Sequence, residues 1–257
     1  MRLQKLLAQA GFGSRREIED WIESGRLKLN GRLAQLGNRA TPRDTIALDG
    51  KPLVFEQAGD ETRVLMYHKP EGELVSRHDP QGRPTVFSNL PRIKGAKWMS
   101  IGRLDFNTSG LLLFTNSGEV ANGMMHPRFG VEREYAVRIF GGLTDEEMAR
   151  LRSGVKLDDG PAAFGKVTAA GGEGSNRWYR VTLSEGRNRE VRRMVEALGK
   201  QVSRLMRLRY GGVELPEDLR PGEWRELDAA GVSAVTAALA LDAAAGKTPP
   251  AKVPRGR

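Results

Sequence analysis

The sequence predicts an α+β protein in two parts, a small helix-and-hairpin module followed by a larger domain on a mostly antiparallel mixed sheet. Three observations predict it. The first fifty residues hold two short amphipathic helical patterns and then an alternating run broken by Asn30-Gly31. From Arg63 onward short strand-like runs recur, with few helical windows between them. Between the two, residues 57–62 (QAGDET) carry no periodicity and read as a linker. The expected division is a small domain over 1–56, a linker over 57–62, a large domain over 63–228 and a tail over 229–257.

In the small domain Leu3, Leu6, Leu7 and Ala10 share one helical face, and Gly11 and Gly13 stop that helix. Ser14-Arg15-Arg16-Glu17 has capping-box spacing, so a second helix starts there with Ile18, Trp21 and Ile22 inward and Gly25 at its end. Leu27 to Leu33 then turns through Asn30-Gly31 as a hairpin does. The first 43 residues carry nine Lys or Arg, Lys28 among them, and four acids. Arg15 and Arg16 sit where a helix N-terminus already favours anions, although paired arginines also serve as a solvated face.

In the large domain the expected strands are Val64 to Tyr67, Ser100-Ile101, Leu111 to Phe114, Tyr135 to Phe140, Trp178 to Leu183 and Val202 to Tyr210. Thr144 with Glu147 makes a second capping box, and a further helix runs from Asn188 to Leu198 with Gly199 as its stop. Residues 185–210 hold eight cations, including Arg187, Arg189, Arg204 and Arg207, against three acids. Some of these pair along the helix; the remaining cations suit a phosphate backbone, or form a solvated sheet face. Within REYAV, period two puts Tyr135 on the same face as Val137 and Ile139, the usual setting of a core tyrosine. In GRLDFNTSGLLLFTNSGE, Asp105 interrupts two strand-like flanks and by itself reads as the cap of the Asn107-Thr108-Ser109-Gly110 turn.

Composition narrows the function. A chain of 257 residues with 39% hydrophobic content is too apolar for general disorder. It has no cysteine, which excludes disulfides, thiolate catalysis and cysteine-held metals. The three histidines are far apart and show no ligand spacing, so no metal is expected. No run of 18 apolar residues occurs and the N-terminus opens into a helical pattern, so a soluble, cytoplasmic protein without membrane attachment is expected. A net charge of +9 points to a polyanionic partner.

Two resemblances follow from these stretches. GFGSRREIEDWIESGRLKLNG is similar to the alpha-L RNA-binding module of a small-subunit ribosomal protein, which implies docking on structured RNA. GRLDFNTSGLLLFTNSGE, REYAV and EGRNREVRRM, in that order, resemble the three motifs of the pseudouridine synthases that modify bacterial ribosomal RNA. KPEGEL, DPQGRPTVF, DGPAAF and QVSRLMRLRYG bring the likeness nearest to the large-subunit, type B branch.

The resemblance implies isomerisation of a uridine in 23S ribosomal RNA, free or in a large-subunit assembly intermediate, by a monomer that needs no cofactor. It implies Asp105 as the catalytic carboxylate, Tyr135 as the aromatic residue under the target base and Arg192 as the arginine paired with the aspartate. Val191 would line the pocket and Arg103 would contact RNA beside the flipped nucleotide. Arg15, Arg16, Lys28, Arg187, Arg189, Arg204 and Arg207 are the other expected RNA contacts. After an Ala-rich helix over Val235 to Ala245, residues 247–257 hold four cations and no acid, and read as a disordered tail adding non-specific RNA affinity.

Overall fold

The computed structural model describes residues 1–55, 61–172 and 174–244, without the side chains of 237–244. The expected linker lies at 57–60 outside the described residues, as does the basic tail from 247. The chain divides into two compact units. One comprises Met1–Thr62 with Pro91–Met99 and Asn116–Gly118, and the other the remaining residues.

In the first unit, α1 (Leu3–Gln9) and α2 (Arg15–Glu23) follow the expected apolar faces. Both halves of the Ser14–Glu17 capping box form, which answers two amide groups that the helix start leaves unpaired. The strands β1 (Leu27–Leu29), β2 (Arg32–Leu33), β3 (Ile46–Leu48) and β4 (Lys51–Pro52) lie in the order β2-β1-β3-β4. Asn30 at φ 50° and Gly31 at φ 80° make the tight reversal that pairs Leu29 with Arg32. Leu3, Leu7, Ile18, Leu27 and Ile46 are buried together as its core. The inserted segments are tied in by polar contacts: Lys97 Nζ donates to the Gly13 carbonyl and Asn116 Nδ2 to that of Glu61.

The second unit is built on β5 (Val64–Lys69), β7 (Ser109–Thr115), β8 (Arg133–Phe140), β11 (Val167–Ala169), β12 (Asn176–Leu183), β13 (Gln201–Tyr210), β14 (Val213–Glu214) and β15 (Trp224–Glu226), with β6 (Met99–Ile101) leading into the loop before β7. The main path is β11-β12-β8-β13-β7-β5-β15. Every pairing on it is antiparallel except β13 with β7, so the expected mostly antiparallel sheet is present. The separate hairpin β9 (Val155–Leu157) and β10 (Gly160–Ala162) accompanies the sheet. The helices are α3 (Gly118–Met125), α4 (Asp145–Ser153), α5 (Glu190–Glu196) and α6 (Ala229–Ala244). Leu111, Leu113, Ile101, Met124 and Tyr210 belong to one buried cluster of this unit.

Three local departures have physical causes. α5 starts at Glu190 rather than Asn188, because Arg189 takes a left-handed conformation at φ 49°. α6 starts six residues before Val235, where the Asp228 carboxylate accepts from the Gly231 amide as a cap. In β13 the buried residues are Val202, Leu205, Arg207 and Tyr210, not alternate ones, because the pairing with β8 shifts register between Val202 and Arg204 and again between Arg207 and Arg209. Each bulge turns the following residues over to the other face.

Candidate active site

The loop from Gly102 to Thr108 enters β7 at the point where that strand lies parallel to β13. Gly102 at φ 78° starts it and a turn from the Asp105 carbonyl to the Thr108 amide, 3.0 Å, closes it. Asp105 thus contributes its backbone to the turn. Its carboxylate takes no hydrogen bond from the described residues, so the side chain is not a turn cap.

Two cations hold the carbonyls that follow it. The Lys69 ammonium, fully buried at the end of β5, donates to the carbonyls of Thr108 and Pro70 at 2.8 Å and of Phe106 at 3.4 Å. The Arg192 guanidinium donates to Asn107 O at 2.7 Å and to Val202 O at 3.2 Å. Arg192 therefore grips the loop rather than forming an ion pair with Asp105. Burial pulls its guanidinium below the usual value, with Arg189 adding to this and Asp105 opposing it.

Burial likewise lowers the Lys69 pKa to about 8, against the pull of Glu73, Glu71 and Asp105. The unfolded chain binds this proton more tightly, so the contribution of Lys69 to stability rises with pH between about 8 and its ordinary 10.5. In Lys69→Met that rise is lost. Urea unfolding at pH 7.5 and 9.5 should show wild type gaining about 1–2 kcal/mol on the variant across the interval; a constant difference would contradict the placement of the lysine.

Asp105 opens onto a cleft of about 590 Å³ that Tyr135 and Val191 also line. Tyr135 stands on β8 with Val137 and Ile139 inward beside it, as period two predicts. The residue is only 9% exposed, yet its hydroxyl has no hydrogen-bond partner among the described residues. The residue thus sits on the core-facing side of β8, as period two predicts, and also lines the cleft. Val191, at the start of α5, is buried next to Arg192.

The other expected contacts divide by what already neutralises them. Arg103 is exposed at the cleft with no acidic partner among the described residues. Arg189 lines the cleft half-exposed, 3.5 Å from Glu196. Arg187 lines it too, but is spent on Glu190 at 2.8 Å, Glu185 at 2.9 Å and Asp159 at 3.0 Å, which bind the loop before α5 to the β9–β10 hairpin. Arg204 is exposed and meets Glu71 at 2.9 Å. Arg207 is buried, so β13 presents no continuous basic face to solvent. In the first unit Arg15, Arg16 and Lys28 are exposed and unpaired among the described residues.

Lys69, Arg133 and Tyr210 were not singled out by motif spacing, although all three bear on the cleft. A lysine ending an apolar strand, directly before Pro70, was the available signal for the first.

Comparison with known proteins places this geometry in a family. Residues 63–197 match the family described as RNA pseudouridylate synthase, and residues 1–46 match the S4 domain. The chain is 58% identical over 232 residues to Ribosomal large subunit pseudouridine synthase B of Escherichia coli (strain K12), covering 89% of this chain and 80% of that one. It is 54% identical over 235 residues to the protein of the same name from Pasteurella multocida, covering 90% and 68%. A solved structure, the crystal structure of a pseudouridylate synthase, matches with a TM-score of 0.65 and 28% identity over 91% of this chain and 99% of its own.

Proposed function

Since the chain belongs to the RNA pseudouridylate synthase family, we propose that it converts one uridine of 23S ribosomal RNA to pseudouridine, as a cytoplasmic monomer. The observation that carries this reading is a carboxylate that takes no hydrogen bond from the described residues, on a loop fixed by two cations, in one cleft with a tyrosine whose hydroxyl has no partner among those residues.

The target nucleotide leaves its stack, at a cost of a few kcal/mol, and its base comes to lie on Tyr135. Stacking on an aromatic ring returns about 1–3 kcal/mol of this. An Asp105 oxygen then either attacks C1′ or removes the 2′ proton, and the N1–C1′ bond breaks with its electron pair going to the uracil. The detached uracil turns over and C5 bonds to C1′, expelling the Asp105 carboxylate with the electron pair of its C1′–O bond on the first route, or with Asp105 giving its proton back to C2′ on the second. The C5 hydrogen leaves as a proton and N1 gains one, the Tyr135 hydroxyl being the group at hand to relay it by giving up its own proton as it takes another. Atoms and oxidation state balance, so the chemistry requires no cofactor.

Lys69 and Arg192 keep the carboxylate in place by holding the carbonyls of residues 106 to 108. Val191 gives the base an apolar wall. Arg103 and Arg189 hold the RNA strand at the cleft, while Arg15, Arg16 and Lys28 bind structured RNA through its backbone.

The test is to incubate the purified protein with unmodified 23S transcript and map carbodiimide-dependent primer-extension stops. One new stop, absent with an Asp105→Asn control, is expected. Binding of the transcript without a new stop would point instead to a non-catalytic RNA-binding protein.

A further inference from the structure

Of the five arginines that line the cleft, Arg187 is matched by Glu185, Glu190 and Asp159 and Arg189 by Glu196, while Arg103 is unmatched among the described residues but exposed to solvent. Arg133 and Arg207 differ from all three. Both line the cleft, they are 7% and 2% exposed, and neither has an acidic partner among the described residues.

Arg133 uses Nη2 on the Tyr210 hydroxyl at 2.8 Å and on the Met124 carbonyl at 3.5 Å. Arg207 uses Nε on the Leu111 carbonyl at 2.7 Å, and its Nη2 is buried with no partner. The two guanidinium carbons lie 4.7 and 4.8 Å from the centre of the same Tyr210 ring. A π-face offsets part of the cost of burying a cation, but it leaves the N–H donors unanswered.

The sheet register fixes where these donors stand. Arg207 is directly opposite Tyr135 across the β13–β8 pair, and Tyr210 is opposite Arg133. Directly opposed residues have Cβ atoms roughly 5 Å apart. An anion received here would adjoin a base lying on Tyr135. The free carboxylate of Asp105 lines the same cleft and would repel that anion, which explains why two cations are gathered rather than one. Guanidinium donors suit the oxygens of a phosphodiester, and a nucleotide turned out of its stack brings one into the cleft with its ribose.

We propose that Arg133 and Arg207, stacked on Tyr210, form a subsite for the backbone phosphate attached to the nucleotide whose base lies on Tyr135. The inference rests on the reading of the cleft as a uridine-isomerising site.

The experiment uses the whole protein and an RNA that wild type converts, with one phosphodiester beside the target uridine replaced by a neutral methylphosphonate. At one of the two flanking linkages kcat/KM should drop roughly tenfold or more, the range for losing charge-assisted hydrogen bonds. The same replacement three nucleotides away should cost less than about twofold. In Arg133→Met and Arg207→Met, verified as folded by circular dichroism, the flanking replacement should cost little beyond what the substitution already costs.

Full activity of wild type on both flanking methylphosphonates would overturn the subsite, and that comparison needs no variant. An undiminished penalty in the folded variants would overturn it as well, by assigning the phosphate to other residues. Failure to convert the unmodified RNA would instead remove the functional reading itself, and the subsite with it.

Discussion

Asp105→Asn abolishes pseudouridine formation while leaving the fold and RNA binding in place. Loss of a residue that attacks or deprotonates the substrate lowers kcat by about 10⁴–10⁶ in comparable enzymes, and a drop of at least about a thousandfold is expected. The fold is spared because the carboxylate accepts no hydrogen bond from the described residues, and the turn closes through the Asp105 backbone, which asparagine keeps. What disappears is the attraction of Lys69 and Arg192 for the charge, so the melting temperature should move by no more than a few degrees. Tritium release from C5-labelled uridine in RNA measures the activity, and filter binding measures the affinity. A variant that keeps a tenth of wild-type turnover would remove Asp105 from the chemistry.

Gly110→Ala has the largest effect expected on stability. A Cβ at position 110 would stand 2.3 Å from the Arg207 carbonyl oxygen and 2.6 Å from its nitrogen, and Gly110 has φ 103°. Both neighbours are backbone in the paired strand, so no rotamer relieves the clash. Either β7 separates from β13 or the backbone twists, and a cost of about 3 kcal/mol or more follows. For a chain of this size that is a fall of roughly 6–12 °C in Tm. Gly212→Ala is the control, because a Cβ there meets nothing within 4 Å. Equal melting temperatures for the two variants would contradict the close β7–β13 approach.

The sequence displayed its local rules plainly. The Ser14–Glu17 and Thr144–Glu147 capping boxes, the Asn30-Gly31 reversal and the inward face of β8 all rest on residues within four positions of one another, and all are present. Motif order brought out Asp105, Tyr135 and Val191, which share the cleft. What stayed hidden depends on partners far along the chain. Period two from Val202 assigns Arg207 to the outer face, and only the register shift between Val202 and Arg204 turns it inward. Lys69 is 39 residues from Thr108, and Arg192 is 85 from the carbonyl it holds. No spacing rule reaches that distance, and an arginine aimed at a carbonyl instead of a carboxylate looks the same in a sequence.

The parallel pairing of β7 with β13 also has a bearing on synthesis. β7 leaves the ribosome long before β13, the strand that flanks it on its far side, and Arg192, which holds the Asn107 carbonyl, is made later than the loop it grips. At about 5–20 residues per second the growing chain waits several seconds with its Asp105 loop half-supported. Non-local strand pairings are also slow to form. The cleft is therefore completed only after residue 210 has been made, when the first unit's helices and hairpins have had time to fold, and a chain cut short before residue 201 carries Asp105, Tyr135 and Arg192 but not the strand that lies between β7 and β8.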